Sequence, residues 1–517
     1  MISGKHIFKI AIALTLTALV LCFLAIGFYD RILPAVNPGG YSMEYQEKLF
    51  DTSNIIEIDI LVDEEKWEEM LNTAQREVYY ECDVTVNGTT FRQVGIRPKG
   101  NTSLSSIAND PDNDRYSFKL EFDRFSDGQT CFGLDKLVLN NSYADTTFMK
   151  EAVIYDMFAY LEADASLYNY AKISVNGEYF GVYLALEAVE DSFMLRNYGM
   201  EKGYLYKPDS MNMGGKNGGN GGFGGFGGMG GGSNLNYTDD NYDSYGSIWN
   251  AEVNDSTETD HKRVIKALKN IHSKTDIEKY IDVEQILKYM AVHNFSVNGD
   301  SLSGGMAHNY YLYESGGRIS LIPWDYNLSF GGMGGGDSTG VANEPIDDSW
   351  QSTRLLDFVL ENEEYLAKYH EYYGKLVDEY LYGGKFEETY TGIRSQIDDL
   401  VKTDPTAMYG YDSYLKGTET LYELIMLRAK SVKGQLDGTV PSTSDGQKAD
   451  SSALVDASHI NTSDLGSMGG FGGGGGFGGN RGNQPSKNRT QRSQQDNVQQ
   501  NTGQQVNQQQ NNGQQKE

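Results

Sequence analysis

Three polar residues near the middle of the chain carry its clearest chemical suggestion. Asp300 follows the turn Asn298-Gly299. Asn309 opens the run Tyr310-Tyr311-Leu312-Tyr313, and Asp325 closes Leu321-Ile322-Pro323-Trp324. An acid, an amide and a second acid at loop and strand ends supply a base and two metal ligands, the parts phosphoryl transfer needs. A carboxylate at a turn can accept a substrate hydroxyl proton or bind a metal. Asn and Asp oxygens suit Mg²⁺, which prefers hard oxygen donors. Trp324 offers a flat face to an adenine, or it serves as a core aromatic.

Cations come earlier. Lys119 sits mid-strand in Tyr116-Ser117-Phe118-Lys119-Leu120 and faces away from both neighbours. Such a lysine can hold nucleotide phosphates, although a solvated edge lysine is the plainer role. The segment Arg97-Pro98-Lys99-Gly100-Asn101-Thr102-Ser103 offers two cations and several small donors for a phosphate-covering loop. It also reads as an ordinary polar turn. Glu151, early in a long helix, is a candidate partner for the strand lysine, with Glu162 the alternative. His293 and His308 lack zincin spacing and read as hydrogen-bonding histidines.

The elements that must position these groups change character along the chain. Ile56, Ile58 and Ile60 alternate with acidic residues as in a half-buried strand. Asn87-Gly88 and Asn176-Gly177 are hairpin turn signals. Asp145 can cap a helix running through about Leu161. After Glu187 helices dominate, near 191–198, 260–271, 283–295, 352–360, 363–381, 386–401 and 419–435. Two short strands, 308–313 and 318–322, interrupt them. A strand-rich stretch followed by a helix-rich one predicts an α+β fold in two lobes. The expected division is a linker over 30–53, a sheet-rich N-lobe over 54–188 and a helical C-lobe over 189–436. A glycine-rich insertion occupies 214–232, and a low-complexity Gly/Gln/Asn-rich tail, expected to be disordered, occupies 437–517.

The chain has 517 residues with a net charge of −29, which repels phosphate backbones and argues against nucleic-acid binding. Its hydrophobic content of 39% is enough for a substantial core. Cys82 and Cys131 are either a disulfide pair or two buried thiols. Residues 10–29 carry no charge and follow Lys5 and Lys9. Twenty helical residues span roughly 30 Å, so this run is expected to be an uncleaved signal anchor, a cleaved signal peptide being the alternative. Residues 1–9 would then be cytoplasmic and the body extracytoplasmic.

Five ordered blocks resemble the CotH kinase family, related to spore coat protein H. They are Gly95 to Ser103, Tyr116 to Leu120, Leu137 to Asn141, Gly177 to Glu187, and His308 to Tyr313 with Pro323-Trp324-Asp325. The resemblance implies an atypical protein-kinase-like fold that uses ATP and Mg²⁺ to phosphorylate Ser/Thr of coat, envelope or surface proteins. It implies that Lys119 contacts the phosphates, with Arg97 and Glu151 at the same site. Asp300 would be the base, Asp325 and Asn309 would hold Mg²⁺, and Trp324 would stack on adenine together with Tyr116. Glu187 would lie near the hinge. Lys99, Thr102 and Lys150 depart from the family's usual Arg, Ser and Arg. A second reading is a catalytically inactive kinase-like protein serving surface adhesion or envelope assembly.

Overall fold

The computed structural model describes residues 14, 15, 17, 40–199, 203–208, 233–333 and 337–468. The insertion over 214–232 and the end of the tail lie outside them.

The first half is a closed barrel. Its strands are β1 (Ile56–Leu61), β2 (Tyr80–Val86), β3 (Thr89–Lys99), β4 (Ser117–Glu121), β5 (Lys136–Asn140), β6 (Tyr168–Val175) and β7 (Glu178–Glu187). They pair in the order β1-β2-β3-β4-β5-β7-β6. Both hairpin turns form where the sequence signals them. Asn87 and Gly88 have φ of 49° and 81°, and Asn176 and Gly177 have 52° and 82°, the left-handed pair that matches strand twist. The barrel closes by a parallel pairing of β1 with β6, in which Ile58 faces Ile173. Every other barrel pair is antiparallel.

This closure corrects the expected two-lobed kinase-like arrangement. Ile58, Ile60, Val84, Ile96, Phe118, Leu120, Ile173 and Tyr183 fill the barrel. The alternate residues Val138, Tyr168, Val182, Leu184 and Leu186 point outward and join one continuous core with the helices. Strand β7 is buried on both faces from Gly181 onward, so helices pack directly on the barrel wall. Hairpins are local and leave turn signals. The parallel closure joins distant segments and leaves none.

Among the helices outside the barrel are α1 (Lys150–Tyr160), α2 (Asp191–Tyr198), α3 (Glu258–His272), α4 (Val283–Ser296), α5 (Ser338–Asn343), α6 (Glu363–Gly374), α7 (Lys385–Thr403) and α8 (Tyr411–Asp437); α1 and α7 pack directly on β6 or β7. A second sheet of β8 (Tyr204–Tyr206), β9 (Tyr310–Ser315) and β10 (Arg318–Pro323) has the order β10-β9-β8. Asp145 caps from a distance: its carboxylate accepts from Lys150 N at 3.0 Å, so α1 starts five residues later than its cap.

Two further expectations change. The chain stays packed beyond Asp437 as far as Met468, with Ala457 and Leu465 buried. These apolar residues are too sparse to stand out in a polar composition. Among the described residues no helix is long and apolar enough to cross a membrane. The described residues therefore give no support to the expected single-pass anchor, or to the extracytoplasmic placement drawn from it, and neither is carried further. Apart from Leu14, Thr15 and Thr17, residues 10–29 lie outside the described residues. Cys82 and Cys131 are free, buried thiols. Burial, with Asp83 and Glu81 nearby, pushes the Cys82 thiol up to about 12.

Candidate functional site

The wall formed by β3, β4 and β5 carries the site on its outer face. Register places Arg97 opposite Lys119 and Lys99 opposite Ser117. Because side chains alternate along a strand, Ile96, Phe118 and Leu120 enter the barrel while the three cations face out. Tyr116 follows the inward set and is fully buried in the barrel cluster. It therefore stands on the other side of the wall from Trp324, and the two do not form one base-stacking pair.

The cations take different partners. Arg97 pairs with Glu77 and lies over the Tyr79 ring at 5.3 Å. Lys119 pairs with Glu190, which also accepts from Lys136 at 2.5 Å. Burial opposes ionisation of Glu190, but the two ammonium groups hold its carboxyl below the usual range. The sequence suggested Glu151 as the partner of Lys119, and the structure gives that place to Glu190. Glu162 is exposed. Glu187 is buried and committed to Arg196 at 2.6 Å and to the Tyr45 hydroxyl at 2.5 Å.

Lys99 is the cation that faces the acids. Burial pushes its ammonium pKa down, while Asp325 and Glu151 oppose that shift. Its Nζ lies 5.5 Å from the Trp324 ring centroid, and Lys207 Nζ lies 5.2 Å from the same ring. Tyr311 meets Trp324 edge-on at 5.5 Å. Sequence reasoning placed Lys99 in the phosphate-covering loop but did not single it out, and it missed Lys207. The available signal for Lys99 was its i+2 spacing from Arg97, which fixes a common face.

The acids converge from three elements. Glu151 comes from the first turn of α1. One carboxyl oxygen accepts from Asn140 Nδ2 at 2.6 Å, and the other is buried without a partner. Burial and the neighbouring Asp325 push the Glu151 pKa up to about 8. Asp325 follows β10 with φ of 62°. Burial pushes its carboxyl up, and Asp300 adds to this against Lys99, Lys207 and His308. Asp300 is held on both oxygens, by His308 Nε2 at 2.6 Å and by Asn309 Nδ2 at 3.0 Å. Asn309 Nδ2 also donates to the Asp300 carbonyl at 2.8 Å. Asn298 links the two acid loops, accepting from Asp300 N at 3.2 Å and donating to the Asp325 carbonyl at 3.1 Å.

His293 plays no part in an ion site. It bonds the Tyr326 hydroxyl at 3.0 Å and Ser303 Oγ at 2.7 Å. Burial lowers its pKa to about 3, so it supports the acid loop as a neutral ring.

The donor set consists of oxygens: Asp325, Asp300, the Asn309 side-chain carbonyl and the unpartnered Glu151 oxygen. Hard cations prefer this chemistry, and a buried carboxyl oxygen without a partner is costly until something satisfies it. Among the described residues no group of three or more His, Cys, Asp or Glu side chains is arranged to hold a metal alone. The set fits Mg²⁺, which is typically held by one or two carboxylates plus phosphates and water. It fits a caged structural ion poorly.

Comparison with known proteins agrees with the ordered blocks. Inner spore coat protein H of Bacillus subtilis (strain 168) is 25% identical over 209 residues, 40% of this chain and 53% of that protein. The aligned region thus spans about half the length of that relative. The profile of the family described as CotH kinase protein matches residues 96–432, from the end of β3 to the last turns of α8. By that match, which covers well over half of its length, the chain belongs to the CotH kinase protein family.

Proposed function

We propose that this chain is a protein kinase that transfers the γ-phosphate of ATP, with Mg²⁺, to Ser/Thr hydroxyls of coat, envelope or surface proteins. One observation carries the reading: three acids from separate elements, the buried Glu151 and Asp300 and the half-buried Asp325, meet two lysines around Trp324, and desolvation holds the carboxyls of Glu151 and Asp325 above their usual pKa values. A site with excess negative charge, adjacent cations and oxygen donors suits a magnesium nucleotide.

The residues divide the work. Lys99 and Lys207 attract the phosphate chain, with Arg97 and Lys119 farther along the same barrel face. Asp325, Asn309 and Glu151 supply metal donors. Bound Mg²⁺ supplies neutralisation of phosphate charge. Asp300, fixed by His308 and Asn309, retains lone pairs to accept a hydroxyl proton. Trp324, with the Lys99 and Lys207 ammonium groups near its ring, lies on the nucleotide side of the site. The relative's name motivates a coat protein as the phosphate acceptor.

The second reading, an inactive kinase-like protein for surface adhesion or envelope assembly, draws on the same clamp. Both Asp300 oxygens already have partners, as in a purely structural carboxylate. Incubation of the full chain with γ-labelled ATP, Mg²⁺ and a Ser/Thr-rich coat protein separates the two. Labelling that disappears in Asp300→Asn supports transfer. Unlabelled acceptor and unlabelled enzyme support the inactive reading.

A further inference from the structure

The last described segment, up to Met468, lies beyond the family match, which stops at residue 432. It nonetheless reaches the two loops that present the acids. The loop over 142–148 leads into α1 and Glu151. The loop over 326–333 follows Asp325. Asn327 ties them directly, donating to the Tyr143 carbonyl at 2.8 Å. The segment then closes the ring from outside: Thr146 N donates to the Leu465 carbonyl at 3.2 Å, and Met468 N donates to the Gly332 carbonyl at 3.2 Å.

Both loops need such support. Ser142, Ala144, Phe148, Asp325 and Phe330 have φ between 55° and 62°, a costly region for residues with a Cβ. Strained backbone persists only where its surroundings over-determine it. The segment is itself anchored. Leu465 is buried in the helical core, Asp464 pairs with Lys416 of α8 at 2.9 Å, and Val455 exchanges hydrogen bonds with Asn343 at 2.8 and 2.9 Å. At Gly466 φ is +79°, and a Cβ there would lie 2.7 Å from the Ala144 carbonyl oxygen. The fit to the first loop is therefore close.

We propose that residues 462–468 are a positioning strap for the site. By pinning both loops they hold Glu151 and Asp325 in mutual register. Leu465, Gly466 and Met468 act through those loops and touch no reacting atom. The inference rests on the phosphoryl-transfer reading only in its second readout.

The test uses the full chain carrying Leu465→Ala, Leu465→Met or Gly466→Ala. Hydrogen exchange is followed by peptide over 142–151, over 324–333 and, as a control, over the distant strands β1 and β2. The Mg²⁺ concentration that half-saturates ATP binding is the second readout. Leu465→Ala and Gly466→Ala should speed exchange several-fold in both loops and raise the Mg²⁺ requirement, while β1 and β2 stay unchanged and Leu465→Met behaves as wild type. Unchanged loops, or exchange that rises equally everywhere, overturns the strap. Loosened loops in a protein that binds no ATP even as wild type uphold the strap and sink the kinase reading. Should Leu465→Ala fail to fold, Asp464→Asn, which removes the charge that pairs with Lys416, makes the same comparison.

Discussion

The two faces of the β3–β4–β5 wall are made from alternate residues of the same strands, yet they answer to different physics. Inside, Ile96, Phe118, Leu120 and Leu139 meet other apolar side chains, and any well-filled arrangement serves. Outside, Arg97 meets nearby Glu77, while Lys99 and Lys119 meet acids from elements farther along the chain, where identity and placement decide the result. The inner face is built for stability. The outer face holds buried charge whose balance is incomplete, which costs stability and suits a ligand.

The sharpest way to separate the faces is to change one residue on each. Asp325→Ala is expected to abolish phosphoryl transfer, because the proposed metal donor is lost, while leaving the thermal midpoint equal or higher, because a half-buried carboxyl with an unfavourable desolvation cost is removed. Labelled-phosphate transfer and calorimetry on one sample check both halves. Phe118→Ala should do the reverse. It should cost about 3–5 kcal/mol in stability, the usual loss for a buried aromatic, measurable by denaturant titration. Its effect on activity should appear only as the folded fraction falls.

A finer contrast lies within the outer face. Lys99→Ala should weaken Mg²⁺-ATP binding by roughly tenfold or more, on the order of 1.4 kcal/mol, because Lys99 faces the acids. Lys119→Ala should weaken it less, since Lys119 is engaged with Glu190. Isothermal titration of both variants ranks them, and the opposite ranking would return the phosphate contact to Lys119.

The most gradual expected effects concern pH. Glu151, normally near 4.5, is raised to about 8 in the folded chain. The folded state then holds a proton that the unfolded state has released, so this group's contribution falls as pH rises from about 4.5 to 8. Glu151→Gln should flatten that decline in the thermal midpoint. His293 works in the opposite sense. Its pKa falls from 6.5 to about 3, so stability is lost as pH drops through that window and the unfolded ring takes up a proton. Each contributes at most about 1.4 kcal/mol per pH unit.

Legibility in the sequence followed the same divide. Hairpin turns at Asn87-Gly88 and Asn176-Gly177, the helix over Val283–Ser296 and the strand pair ending in Trp324-Asp325 were readable, because local patterning specifies them. The acid loops were readable too, since turn residues and strand ends mark them. The barrel closure was not, because Ile58 meets Ile173 through a parallel pairing with no local signature. Nor could local pattern tell that Glu190 takes Lys119 while Lys99 turns to Asp325 and Glu151. Strand alternation placed the cations on one face and said nothing of what covers that face. The packed stretch up to Met468 was hidden by its composition: a few residues such as Ala457 and Leu465 anchor it among polar ones.

The most direct test of the central claim is ATP binding by the full-length chain, titrated with and without Mg²⁺, alongside Asp325→Ala. Saturable binding that requires Mg²⁺ in the wild type and is lost in the variant is the predicted result. Absence of binding by the folded wild type at any Mg²⁺ concentration, or equal binding by the variant, would contradict a magnesium-nucleotide site on the outer face of the barrel.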